Sequence, residues 1–225
     1  MEKRKREIIT SGDGSHTVRI PELNTSYHSR HGAIQESMHV FIRAGLHHLV
    51  EKGWEGEMNI FEMGFGTGLN AFLTLLEAQR LNLEVHYTAV EQFPLTNEEA
   101  HILNYPGTLG HRDLFLQLHH CPWQKEERIT DFFTLSKHPV DLKEFSTTRS
   151  MHLIYFDAFD PATQPEVWTV KIFEQMYSLL SPGGLLLTYC SKGDVRRAMK
   201  SAGFRIKKIP GPWGKRDMVR GYHEL

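Results

Sequence analysis

Residues 58–90 read MNIFEMGFGTGLNAFLTLLEAQRLNLEVHYTAV, and their pattern decides the fold class. Met58 to Met63 is a short apolar run of the length of a buried strand. Residues 68–81 carry apolar side chains at helical spacing, and 84–90 return to a strand-forming run of Val, Tyr and Thr. Between the first strand and the helix, Gly64, Gly66 and Gly68 stand at alternate positions. A turn this rich in glycine exists where something lies very close to the backbone.

The alternation continues on both sides. Upstream, Ile34, Met38, Phe41, Ile42, Leu46, Leu49 and Val50 recur at helical spacing until Gly53 ends the helix. Residues 8–32 read as short strands and loops, with a hairpin turn at Ser11–Gly14. Downstream come a helix from about Thr96 to Leu103, a third strand at Ile129–Leu135, a clear strand at 151–157 and a helix at 165–180. Pro182-Gly183-Gly184 then turns the chain into the strand LLLTYC, followed by a helix at 193–202 and strands at 204–209 and 217–223. Such alternation predicts an α/β protein with an open, mostly parallel sheet and helices on both faces. The last two strands have no helix between them, so they pair as an antiparallel hairpin or lie apart. A Rossmann-like open sheet ending in an antiparallel C-terminal hairpin strand is the arrangement of class I methyltransferases. With 225 residues, one domain over 1–225 is expected, with an N-terminal extension of about 1–55.

The bulk chemistry excludes several classes. No apolar run reaches the length of a membrane span, and MEKRKREIIT lacks the apolar core of a signal peptide. Cys121 and Cys190 are far apart in a chain without an export signal, so a reducing cytoplasm and two buried or half-buried thiols are expected. His47-His48 and His119-His120 lack metal-ligand spacing, and no metal is expected. The net charge of −1 neither supports nor excludes a nucleic-acid partner. Local basic patches stand at Lys3–Arg6, at Arg196-Arg197, and from Arg205 through Lys207-Lys208 to Lys215-Arg216. A solvated, frayed end is the expectation for the first of these.

In an open parallel sheet, ligands bind beyond the carboxyl ends of the strands, where Glu62–Asn70 lies. The dinucleotide fingerprint needs glycines at positions one, three and six; here the third glycine falls at position five, and no Gly-Lys-Ser/Thr of a phosphate loop follows. A close backbone approach without a bound phosphate suits S-adenosylmethionine, with Glu62 taking its cationic end. Glu91, at the tip of the adjacent strand, is placed to accept hydrogen bonds from both ribose hydroxyls.

The strand MHLIYFDAFDPATQPEVW delivers Asp157 to the same edge, followed by Asp160. Methyl transfer to nitrogen requires a free lone pair. A carboxylate can bind an ammonium and receive its proton, and Asp157 at the strand end is the candidate. Asp160 is instead placed to cap the following helix or its turn.

FEMGFGTGLNAFLTL, YTAVEQFPLT, YFDAFDPATQPEVW, LLSPGGLLLTYCSKGDVRRAMKSAGF and PGPWGKRDMVRG together resemble the MnmC methyltransferase family over roughly Tyr27 to Gly221. The most specific parts are D-A-F-D-P-A-x-x-P-E-x-W at 157–168 and G-K-R-x-M at 214–218. The resemblance implies an S-adenosylmethionine-dependent enzyme that methylates the 5-aminomethyl group of the tRNA wobble uridine, giving 5-methylaminomethyl-2-thiouridine; the alternative, which the near-neutral charge favours, is a small-molecule amine methyl- or aminopropyltransferase of the same fold. It implies that Glu62, Gly64, Phe65, Gly66, Gly68 and Asn70 surround the cofactor and that Glu91 holds its ribose. Asp157 is the catalytic aspartate by position. Phe159, Asp160, Pro161 and Trp168 shape the substrate pocket, and Lys215-Arg216 lie near the backbone of the anticodon arm. Where bifunctional relatives read D-G-F-A-P, this chain has D-A-F-D-P, a second acid in the loop. The chain resembles a stand-alone form without the FAD-dependent oxidase, acting on a nucleoside supplied by upstream wobble-uridine enzymes. YHSRHGAIQES resembles the stretch preceding the cofactor loop in stand-alone members. Its Tyr27, His28, Arg30 and His31 either close over the site or form a solvated loop.

Overall fold

A computed structural model describes residues 5–224; Lys3 and Arg4 of the N-terminal basic run lie outside the described residues. The chain opens with a small antiparallel sheet, β1 (Glu7–Thr10), β2 (His16–Ile20) and β3 (Thr25–Ser26), with a turn at residues 11–15 as the sequence predicts. One continuous helix follows. It starts as α1 (Ala33–Ser37), widens to π geometry over Met38–His47 and finishes as α2 (His48–Glu51), with Gly53 just beyond at φ +86°. Val18, Phe41 and Leu46 share one core with Ile60, Leu153 and Leu187, so this N-terminal region is built onto the main sheet.

The main body alternates as expected: β4 (Met58–Met63), α3 (Leu69–Leu81), β5 (Val85–Val90), α4 (Asn97–Ile102), α5 (Tyr105–Leu109), α6 (Arg112–His120), β6 (Glu126–Thr130), β7 (Phe133–His138), β8 (Met151–Phe156), α7 (Val170–Leu179), β9 (Leu180–Thr188), α8 (Gly193–Ser201), β10 (Arg205–Pro210) and β11 (Asp217–Tyr222). Among the described residues these strands form an eight-stranded sheet in the order β10-β11-β9-β8-β4-β5-β7-β6. β7, β5, β4, β8 and β9 are mutually parallel, and β11 and β10 add antiparallel at one edge. All six residues of β4 are buried, as befits a central strand covered on both faces. The strand order reverses between β4 and β8, and the crevice at that switch point is the natural ligand site.

Four sequence expectations are corrected. The single strand at 129–135 is a hairpin: Asp131-Phe132 turns the chain, Thr130 Oγ1 accepts from the Phe132 amide, and β6 pairs antiparallel with β7. The helix expected over 165–180 is split: Pro165–Val167 form one 3-10 turn, and Thr169 caps α7 by accepting from the Ile172 amide. Pro182-Gly183-Gly184 lie within β9 and do not precede it. Arg6 is no frayed end: its guanidinium pairs with Glu99 at 3.0 Å and donates to the carbonyls of Phe93 and Pro94. Cys121 and Cys190 are buried free thiols, as expected. No helix among the described residues is long and apolar enough to cross a membrane.

Candidate active site

The β4–β8 register sets Met63 opposite Phe156, so the first residues past each strand, Gly64 and Asp157, meet at the crevice. Gly64 has φ +90°, and a Cβ there would stand 3.3 Å from the Asp157 carbonyl. Glycine is required by both conformation and space. Gly68 is similarly confined: at φ +71°, a side chain would meet His119 Nε2 at 2.9 Å.

A cavity of about 930 Å³ opens over this edge, and its wall includes Gly64–Thr67, Asn70, Glu91 and Asp157. The glycine loop, both carboxylates and Asn70 therefore come together as predicted from the sequence. Asn70, in the first turn of α3, uses its amide nitrogen to join two acids: Nδ2 donates to Glu62 Oε1 at 2.9 Å and to Asp157 Oδ2 at 2.8 Å. Glu62 is 1% exposed. Burial raises its pKa well above the ordinary value, and the neighbouring Asp157 charge adds to this. Asp157 is pushed up from 3.8 to about 7, by burial first and by Glu36 next; the Asn70 hydrogen bond and the Lys215 charge oppose the rise.

Glu91 reaches back under the loop. Its Oε2 accepts from the Gly66 amide at 2.9 Å and its Oε1 from the Phe93 amide at 2.8 Å. Each oxygen keeps a further lone pair for a ligand hydroxyl. The Phe65 ring turns away behind the loop, edge-on to His119 and Trp123, with Lys137 Nζ 5.2 Å from its centroid. Lys137, wholly buried, donates to the carbonyls of Leu118 and His119 at the end of α6. Sequence reasoning missed it, although Phe133, Leu135 and Lys137 alternate inward along β7.

The N-terminal region supplies the opposite wall. Tyr27 stacks on Phe159 with ring centroids 5.3 Å apart, and both line the cavity. His28 also lines it; burial lowers its pKa to about 4, so the ring is neutral, beside the Thr17 hydroxyl. Arg30 and His31 are exposed and off the cavity wall. Asp160, Pro161, Trp168, Lys215 and Arg216 are also off that wall. Asp160 accepts from Lys192 at 2.7 Å and from the Ala162 amide at 2.9 Å. Burial pushes its pKa up, but these hydrogen bonds outweigh it and hold the carboxyl below the usual value. Trp168 braces the wall from behind, donating Nε1 to the Phe159 carbonyl at 2.8 Å. Lys215 pairs with buried Glu36 at 2.7 Å and lies 3.8 Å above the Tyr189 ring, whereas Arg216 is exposed.

Asn70 Oδ1, on the cavity wall, is a buried acceptor without a hydrogen-bond partner among the described residues; Glu62 Oε2, off that wall, lacks one of ordinary geometry, although the buried Tyr87 hydroxyl lies near enough to act on its carboxyl. Buried acceptors left in this state call for a donor. The ammonium of an amino acid supplies donors and a positive charge, and the paired acceptor lone pairs of Glu91 suit a ribose diol. The residues present thus fit S-adenosylmethionine.

Residues 133–224 match the model of a family described as S-adenosyl-L-methionine-dependent methyltransferase, a span that holds Asp157 and Lys215. A protein of Cupriavidus metallidurans named tRNA 5-methylaminomethyl-2-thiouridine biosynthesis bifunctional protein MnmC is 32% identical over 95% of this chain and 33% of its own. Its namesake from Aromatoleum aromaticum is 30% identical over 88% of this chain and 32% of its own. The chain therefore spans about a third of the length of these curated relatives. The crystal structure of MNMC2 from Aquifex aeolicus superposes with a TM-score of 0.82 at 25% identity, covering 100% of this chain and 72% of that one. Over 133–224 the chain is thus similar to S-adenosyl-L-methionine-dependent methyltransferases, and over nearly its whole length to one part of the MnmC proteins and to MNMC2, with a crevice whose buried acceptors suit a cationic amino-acid cofactor.

Proposed function

We propose that the protein methylates the primary amine of a 5-aminomethyl-2-thiouridine at the wobble position of tRNA, yielding the 5-methylaminomethyl nucleoside. One observation carries the reading: Asp157, its carboxyl poised near 7, lies at the cavity edge and is tied through Asn70 to Glu62. The names of the MnmC relatives support the substrate.

When bound, the cofactor would supply an electrophilic sulfonium methyl for transfer to the amine nitrogen, and Glu62, Asn70 and Glu91 are the residues that would hold it. The protein must deliver that amine with its lone pair free. Asp157 accepts the substrate ammonium in a charge-assisted hydrogen bond and takes its proton. Raising the carboxyl from 3.8 to about 7 narrows the gap to an alkylammonium, whose ordinary value is roughly 10. Asn70 fixes the oxygen that does not receive the proton, and Glu62 holds the cationic end of the cofactor. Tyr27 and Phe159 offer stacked rings that exclude water from the acceptor side. Asp160, committed to Lys192, is the weaker candidate for the base. Such an enzyme works in the cytoplasm on the anticodon arm, downstream of the enzymes that install the aminomethyl group.

The test is methylation of tRNA lacking the final methyl, read as nucleosides by mass spectrometry. The 5-aminomethyl-2-thiouridine peak should convert to its methylamino product in the presence of the protein and S-adenosylmethionine. A profile that stays unchanged would refute the substrate.

A further inference from the structure

A second cavity, of about 490 Å³, shares no lining residue with the first. Its wall includes His31, Glu36, His39, Arg43, Pro212 and Trp213. Glu36 thus belongs to this wall and also acts electrostatically on Asp157. Trp213 is 80% exposed, a large apolar ring presented to solvent on the loop between β10 and β11. The loop is held in place: Lys215 is anchored on Glu36 and Tyr189, and the Gly211 amide donates to the Arg216 carbonyl at 3.1 Å. The Arg43 guanidinium makes no hydrogen bond or ion pair among the described residues, and it is exposed on the π-helical segment facing this groove. Arg216 is exposed on the same loop as the tryptophan.

A free aromatic face beside free guanidinium groups is the chemistry that binds an unpaired nucleotide, the base stacking and the phosphate pairing with arginine. We propose that this groove seats a nucleotide flanking the target uridine in a single-stranded RNA loop, Trp213 stacking on its base and Arg43 taking its phosphate. The inference rests on the RNA substrate proposed above and extends it. Glu36 then stands on the wall of the subsite for the neighbouring nucleotide while its charge acts on Asp157 in the subsite for the reacting base. Charge favours this occupant: exposed Arg43 on the groove wall and exposed Arg216 on the Trp213 loop suit an anionic partner, which an apolar peptide is not.

The test compares the native protein with Trp213→Ala, Trp213→Phe and Arg43→Ala, none of which touches the cofactor crevice. Binding of a fluorescent anticodon stem-loop is followed by anisotropy without cofactor, and methyl transfer is measured on that stem-loop and on the free 5-aminomethyluridine nucleoside. Base–aromatic stacking lost on alanine substitution corresponds to a weakening of about 5- to 150-fold, so Trp213→Ala should raise Kd and KM for the stem-loop by about tenfold or more. Its kcat should stay within about twofold, nucleoside methylation should be unchanged, and Trp213→Phe should restore most of the affinity. Replacing the bases flanking the target one at a time with abasic sites should weaken native binding at one position and leave the binding of Trp213→Ala unaffected there. Native methylation of RNA with equal Kd for native and Trp213→Ala protein overturns the subsite alone. A Trp213→Ala effect that tracks with dissociation of a dimer in sedimentation also overturns it. Native protein that methylates the nucleoside and never the RNA overturns the RNA reading itself.

Discussion

Lys215 stands 2.7 Å from Glu36, and the two act on Asp157, the proposed base, with opposite sign: Glu36 pushes its carboxyl up, after burial, and Lys215 draws it down. A base works in its ionised form, so kcat/KM should fall as pH drops through about 7. Lys215→Met leaves Glu36 unopposed and should move that acid limb to higher pH, while Glu36→Gln should move it lower. Asp157→Asn should lower kcat by about 10²-fold or more with cofactor affinity largely kept. Profiles that coincide for all three proteins would remove the pair from the mechanism. Glu62 makes a second prediction. Its pKa lies well above the ordinary carboxyl value in the free protein, and a bound cation favours its ionised form. S-adenosylmethionine binding near pH 6 should therefore release a proton, seen by calorimetry in buffers of different ionisation enthalpy, and Glu62→Gln should bind without that release. At this scale the sequence was informative for Glu62, Glu91 and Asp157, because each ends a strand at the crevice. It was silent on Asn70's bridging of two acids, which depends on how α3 is aimed at β8.

The elements legible beforehand were those with a single period. β4, α3, β5 and β8 each hold one hydrophobic pattern from end to end, and each lies within a residue or two of its expected bounds. The region between β5 and β8 resisted because its helices α5 and α6 are short and its hairpin of β7 and edge strand β6 turns on two residues without a strong turn signal. That region holds an unforeseen support for the cofactor loop. Lys137 on β7 satisfies the last carbonyls of α6 and lies against Phe65, the residue between the first two glycines. Positive charge at a helix C-terminus is favourable, and without it the Leu118 carbonyl would keep only the weak Cys121 thiol donor at 3.3 Å. Lys137→Met should destabilise the fold by about 1–3 kcal/mol per orphaned group. It should also weaken S-adenosylmethionine binding, because the Phe65–His119 contact behind the glycine loop loses its anchor. Denaturant unfolding and calorimetry would check this. Loss of stability with native cofactor affinity would confine Lys137 to the core.

Over the whole molecule, 26 basic and 27 acidic side chains leave no long-range pull on a polyanion, so the proposed RNA recognition would have to be local. The alternation of strands and helices was enough to predict the sheet. The closing contacts were not legible, because they join residues that no local pattern relates. Arg6 meets Glu99 across 93 positions, Glu36 meets Lys215 across 179, and Tyr27 meets Phe159. Contacts of such separation carry the largest loop-closure cost and the slowest formation. The cofactor crevice can therefore exist before the acceptor side does: the central strands set Glu62, Asn70 and Asp157, while Tyr27 and Lys215 arrive only when both ends of the chain have docked. The same ends should be the first to detach from the folded protein. Amide hydrogen exchange should be fastest in β1–β3 and in the 211–216 loop, and it should slow there when S-adenosylmethionine and RNA are bound together. In a cell, a chain caught half-assembled would then hold its methyl donor yet have no finished surface on which to spend it.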